Sequence, residues 1–322
     1  MGSKNSHGCT SPMSSLDFST KIGSRRFSNP IFTASGCASS GQELSQFFPI
    51  SEIGAVVTKS IMTKPRTGRA TPRMAETPSG MLNSIGLQGP GIDAFLENDI
   101  PWLLANSAKV IVSIAGETVD EYGVLARRLR AVSGISAVEV NISCPNVENR
   151  GQVFACHPES AVAVIESVRR NIGGELPIVA KLSPDVTNIV EIAQSVINVG
   201  VDGLALINTL LGMVIDTSTM KPKLAGKTGG LSGPAIRPVA VRAIYQVHQA
   251  FPQTPIVGMG GVSNGRDAFE MILAGASAVS VGTATFGNPS AAMQIKEELS
   301  NLLLEKGFND FRDAIGFAHR GV

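Results

Sequence analysis

Short runs of β-branched and aliphatic residues alternate with stretches of helical period along almost the whole chain, and no other feature limits the fold as much. Eight such runs are Pro30–Ala34, Ala55–Lys59, Val110–Ile114, Val138–Ile142, Ile178–Leu182, Gly203–Ile207, Ile256–Met259 and Ala278–Val281. Between them lie apolar stripes such as Val119, Tyr122, Leu125, Leu129 and Val132, or Ile189, Ile192, Ala193, Val196 and Ile197, each spaced to bury one face of a helix. Strands that alternate with helices imply a parallel sheet built from crossover units. Over 322 residues, eight repeats point to a (β/α)8 TIM barrel, since a doubly wound sheet stops at about five to seven strands.

The spacing predicts large insertions after strands two, four and six. Lys59 to Val110, Ile142 to Ser160 and Ile207 to Pro234 are each far longer than one connection from strand to helix needs. Such loops collect at the C-terminal face, where barrels do their chemistry. No repeat or linker divides the chain, so residues 14–322 read as a single barrel domain. Residues 1–13 read as a disordered or tag-like start, because polar Met1 to Pro12 precede a second methionine, Met13.

Charge and composition remove several classes of function. Twenty-seven Lys and Arg against 26 Asp and Glu leave a net charge of +1, so no global field gathers nucleic acid or acidic lipid. Aromatic residues are 5% of the chain, too few for a base-stacking surface. The longest apolar run, Gly203 to Ile215, is broken by Asn208 and Thr209 and is too short to span a membrane. Cys9, Cys37, Cys144 and Cys156 show no CxxC spacing, which predicts a reducing cytoplasm rather than a disulfide framework or zinc site. His7, His157, His248 and His319 are dispersed, suggesting surface or capping roles rather than a metal cluster or a catalytic triad. No G-x-G-x-x-G follows a strand, and Gly226-Lys227-Thr228 lacks the first P-loop glycine, where Lys221 stands.

Polar residues at the strand ends are the candidates for chemistry: Lys59 after strand two, Asn141 and Cys144 after four, Lys181 after five, Asn208 and Thr209 after six. The two lysines have no carboxylate beside them in sequence, and a buried ammonium needs a partner, so an anionic ligand is expected. Glycine turns after strands seven and eight, Gly258-Met259-Gly260-Gly261 and Gly282-Thr283, stand where barrels present backbone N–H groups to a phosphate. The segment Gly229 to Pro234 adds further donors, with Pro234 opening the next helix. Cys144 lies in Asn141-Ile142-Ser143-Cys144-Pro145-Asn146, where polar neighbours and a proline favour an accessible thiol, able to serve as nucleophile or general base. At a reference pKa near 8.5, only a few per cent of such a thiol is ionised at neutral pH. Cys37 and Cys156 have no comparable context.

From about Leu16 to His319 the chain resembles the dihydroorotate dehydrogenases. The resemblance rests on Ala34-Ser35-Gly36, Thr58-Lys59-Ser60, Met81 to Leu87, Asn141 to Asn146, Lys181 to Pro184, Ile207-Asn208-Thr209, Gly229 to Pro234, Gly258 to Gly261 and Val281 to Ala284. It implies an FMN-binding barrel that oxidises dihydroorotate to orotate in pyrimidine (UMP) biosynthesis. Cys144 matches the family's active-site base, which takes a proton from C5 while hydride leaves C6. Lys59, Asn83, Ser84, Ile85, Gly86, Leu87, Asn141, Asn208 and Thr209 match substrate-contacting positions. Ser35, Lys59, Ser60, Asn141, Lys181, Ile207, Gly233, Gly260, Gly261, Gly282 and Thr283 match FMN-binding positions.

Met81 to Leu87, Leu211-Gly212-Met213 and Gly229 to Pro234 look more like the NAD-linked class, 1B, than the fumarate-linked class, 1A. The resemblance then implies a partner subunit carrying FAD and a [2Fe–2S] cluster, and a homodimeric core within a heterotetramer. Gly89, where the family often has Asn, and Arg69, in place of a usual Asn after Gly68, depart from the pattern. Two alternatives stay open within related flavoenzymes: the fumarate-linked class, and a dihydropyrimidine dehydrogenase using the same cysteine logic. A flavin-free phosphate-binding isomerase and a non-enzymatic binding protein are the readings outside that class.

Overall fold

The computed structural model describes residues 16–142 and 157–321. Eight parallel strands form its centre: β1 (Ile31–Thr33), β2 (Val56–Val57), β3 (Val110–Ile114), β4 (Ile135–Asn141), β5 (Ile178–Lys181), β6 (Gly203–Leu206), β7 (Ile256–Met259) and β8 (Ala278–Val281). Neighbours run from β2 to β8 in sequence order, and β8 then pairs with β1. A parallel bridge between Phe32 and Ala55 joins β1 to β2, with the Thr33 N–H donating to the Ala55 carbonyl at 3.1 Å. The sheet is therefore wrapped into the expected (β/α)8 barrel.

Alternate residues of each strand face opposite ways, and two apolar layers result. Phe32, Val57, Ile111, Ala137, Val179, Ala205, Val257 and Ala278 fill the barrel interior together with Ile22 and Phe27. The latter two come from the antiparallel hairpin Thr20–Ile22 and Arg25–Phe27, which plugs the barrel at the ends where the strands begin. Residues of the other parity, such as Ile31, Val56, Val110, Val112 and Val138, pack outward against the helices. Burial on both faces explains why the strands read as nearly continuous apolar runs.

Short polar caps begin the helices close to the strand ends. Thr118 accepts from the Glu121 N–H to start Val119–Arg130, Asn188 caps Ile189–Asn198, and Asn264 accepts from the Asp267 N–H to start Gly265–Ala274. Pro234 opens a single tight turn, Pro234–Ile236, which leads into the helix Arg237–Ala250. No helix among the described residues is long and apolar enough to cross a membrane.

Gly275 ends Gly265–Ala274 with φ +125°, and a Cβ there would lie 2.2 Å from His248 Cγ. Gly275→Ala therefore combines backbone strain with overpacking, and should destabilise the fold by about 2–4 kcal/mol in chemical denaturation. His248 and His319, expected to be dispersed surface or capping residues, meet here. Their ring centroids are 5.0 Å apart, and His319 stacks on Tyr245 at 3.9 Å. Partial burial, and then the neighbouring His319, hold the His248 imidazole below its usual pKa.

The connections after β2 and β6 meet over the barrel. Met74–Thr77 and Gly80–Asn83 from the first, and Leu210–Met213 and Thr228–Ser232 from the second, form one antiparallel sheet. Gly230 pairs with Asn83 and Leu231 with Leu82, and Ala75, Leu82 and Leu224 make its small apolar core. This sheet roofs the mouth. Most of the connection after β4, including Cys144, lies outside the described residues.

Candidate active site

Near their C-terminal ends the strands keep their inward parity but change character. Two residues beyond interior Ile111 stands Ser113; beyond Ala137 come Glu139 and Asn141; beyond Val179, Lys181; beyond Ala278, Ser280 and Gly282. The same spacing carries Val57 to Lys59 and Ala205 to Ile207. A polar layer thus replaces the apolar one at the mouth.

Under the roof this layer floors a cavity of about 530 Å³, a size typical of cofactor and ligand sites, about 300–1,000 Å³. Ser35, Lys59, Ser60, Asn83, Ile85, Leu87, Asn141, Lys181, Ile207, Asn208, Thr209, Gly233, Gly260, Gly261, Gly282 and Thr283 all line it. Ser84 and Gly86, expected beside them, do not line it. The Ser84 hydroxyl is turned away and accepts from Arg69 Nη1 at 3.2 Å, while Gly86, at φ +79°, lies where a Cβ would stand 2.8 Å from the Arg69 backbone nitrogen.

Hydrogen bonds knit the floor together across strands. Asn208 Nδ2 donates to Asn141 Oδ1 at 3.4 Å, and Asn141 Nδ2 donates to Ser60 Oγ at 3.0 Å. Ser60 and Ser113 hydroxyls lie 2.9 Å apart, and Ser113 Oγ donates to Glu139 Oε1 at 2.8 Å. The Tyr122 hydroxyl supports Asn141 from behind, donating to its carbonyl oxygen at 2.8 Å. On the opposite wall Thr283 Oγ1 donates to Ser232 Oγ at 2.8 Å.

Lys181 corrects one premise drawn from sequence. It has a carboxylate partner after all, for Glu139 Oε1 lies 3.9 Å from Lys181 Nζ on the adjacent strand. Sequence neighbours could not reveal it, because pairing runs across the sheet. Inward parity two residues before Asn141 was the signal available. Cys37 was also passed over, yet it lines the cavity beside Lys59. Burial pushes its thiol pKa up, with the Lys181 and Lys59 charges opposing that shift.

Two features make the cavity a candidate ligand site. The Ser280 hydroxyl points into it, is 1% exposed, and has no hydrogen-bond partner among the described residues. The turns after β7 and β8 bring bare backbone to the wall. Gly260 and Gly261 adopt φ +126° and +77°, and a Cβ on Gly261 would lie 2.8 Å from the Gly233 carbonyl oxygen. Glycine is required there by conformation and space together.

A family model described as Dihydroorotate dehydrogenase matches residues 17–303. The chain belongs to the dihydroorotate dehydrogenase family. Among its relatives, a protein of Desulforamulus reducens is 49% identical over 304 residues, covering 94% of this chain and 99% of the relative. One from Desulforudis audaxviator is 50% identical over 292 residues (91% and 94%), and one from Bacillus pumilus 48% over 288 (89% and 92%). All three carry the name dihydroorotate dehydrogenase B (NAD(+)), catalytic subunit. As a member of the dihydroorotate dehydrogenase family the chain is an oxidoreductase enzyme, and its cavity is the candidate seat of that chemistry.

Proposed function

We propose that this chain is a catalytic subunit that oxidises dihydroorotate to orotate in pyrimidine biosynthesis, with FMN held in the roofed cavity. The observation that carries this reading is the convergence, in one cavity, of Lys59, Asn141, Lys181 and Asn208 with the bare turns at Gly260, Gly261 and Gly282. Those residues fit an FMN. Backbone N–H groups of the turns suit its phosphate, and the unpartnered Ser280 hydroxyl and the Lys181 ammonium suit its polar ring edge. Bound there, FMN would supply the hydride acceptor.

The chain's own residues would do the remaining work. Lys59 offers an ammonium for the substrate carboxylate, and Asn83, Asn141, Asn208 and Thr209 offer amide and hydroxyl groups for the ring. The roof would shield the reacting face from water. Cys144 would take the proton from substrate C5 as hydride departs from C6, so that one C=C bond forms as two C–H bonds break. Four scattered cysteines and no dinucleotide fingerprint leave this sequence without its own route to NAD+. The names of its relatives, which specify a catalytic subunit and NAD(+), support a separate electron-transfer subunit, which would carry FAD and a [2Fe–2S] cluster, in the cytoplasm.

Purified protein should be yellow, with absorbance near about 450 nm that bleaches when dihydroorotate is added without oxygen. NAD+ reduction should need the partner subunit. A colourless chain that takes up no FMN would remove the reading.

A further inference from the structure

Glu139 lies behind the cavity wall rather than on it. It is 2% exposed, shares its carboxylate between Lys181 Nζ at 3.9 Å and the Ser113 hydroxyl at 2.8 Å, and so ends the chain of hydrogen bonds across the floor. That position fixes the direction of every link. A carboxylate paired with lysine only accepts. The single Ser113 proton is spent on Glu139, so Ser60 must donate to Ser113 across 2.9 Å. The Ser60 proton is then spent as well, and its oxygen accepts from Asn141 Nδ2 and from the Ser35 hydroxyl, at 3.0 and 3.3 Å. One buried carboxylate thereby orients groups on several strands and neutralises the ammonium next to it.

We propose that Glu139 is a positioning residue, which tempers the positive charge that Lys181 presents to the cavity and so lowers the reduction potential of the flavin bound there. The inference rests on the FMN reading above. Reduction adds negative charge to the flavin, and an uncompensated ammonium beside it favours the reduced form. A unit charge removed from so buried a site changes an equilibrium about 12 Å away by about tenfold, and a nearer one by more. A residue that served packing alone would loosen FMN without moving its potential in a set direction.

The test is the flavin potential, read against a reference dye in FMN-loaded protein. Glu139→Gln keeps the shape and removes the charge. At the wild-type midpoint its ratio of reduced to oxidised flavin should rise about tenfold, equivalent to a midpoint about 30 mV higher for two electrons. Lys181→Met should move the ratio the other way. Should Glu139→Gln not fold, because it strands a buried ammonium, the neutral pair Glu139→Gln/Lys181→Met replaces it. That double variant should lie within about threefold of wild type, and a shift as large as that of Lys181→Met alone overturns the proposal. FMN uptake by Glu139→Gln with an unmoved or lowered potential also overturns it. A wild-type chain that binds no FMN overturns both this inference and the reading beneath it.

Discussion

Replacing Cys144 with alanine should slow flavin reduction by dihydroorotate about 10²–10⁴-fold, the usual contribution of a positioned general base, while FMN stays bound. Cys144 follows Asn141 by three positions, and Asn141, at the end of β4, lines the cavity. Of the groups assigned to FMN only Asn141 lies on β4, and the others come from the ends of β1, β2, β5 and β6, from the roof and from the turns after β7 and β8, so loss of the thiol leaves them in place. Anaerobic stopped-flow at saturating substrate measures the step directly. The wild-type rate should climb from pH 6 towards 9, since a thiol of reference pKa about 8.5 is a better base when ionised. The variant should lose that dependence. Reduction at near wild-type speed would take the role away from Cys144.

Gly230→Ala should lower kcat/KM for dihydroorotate about 100-fold without loss of FMN. Gly230 sits in the roof opposite Asn83, and its carbonyl accepts from Asn83 Nδ2 at 3.3 Å. A Cβ there would meet Thr209 Oγ1 at 2.0 Å and Thr209 Cβ at 2.6 Å, distances that no relaxation of the methyl itself can relieve. Thr209 must leave its place. Displacing positioning groups by about 1 Å typically costs about 100-fold. The turns at Gly260, Gly261 and Gly282 are not touched, so flavin absorbance should be retained. Steady-state kinetics within threefold of wild type would sink the substrate role assigned to Thr209.

Much of the barrel was legible because its strands are buried on both faces and announce themselves as apolar runs. Val110–Ile114, Ile256–Met259 and Ala278–Val281 have the bounds expected of them. β4 starts earlier, at Ile135, because the buried but polar Ser136 interrupts its apolar run. The roof was invisible as a sheet. Its central strands, Gly80–Asn83 and Thr228–Ser232, are rich in glycine, and the pairing that joins them spans 147 or more residues, beyond the reach of any local pattern.

The same limit applies at the site. Lys59, Asn141, Lys181 and Asn208 stood out as polar residues closing apolar strands, and the structure brings them to one cavity. Glu139 did not, since it lies inside the run Val138–Ile142 and looks like a charge lost in a strand. Its meaning depends on the lysine of the next strand and the serine of the strand before. Cys37 was hidden for a related reason: only the folded approach of β8 shows that it faces Gly282, 3.4 Å from where a Cβ would stand.

The roof has a consequence for synthesis. Its two halves are separated by β3, β4, β5 and β6 in chain order, so a growing polypeptide leaving the ribosome holds the hairpin Met74 to Asn83 with the edge at Gly80–Asn83 unpaired until Ser232 has emerged. Until that moment the lid strands expose unpaired edges, and no earlier fragment can seal its own chamber against solvent. Closure is among the last long-range events in folding, and loading of the chamber must wait for it or accompany it.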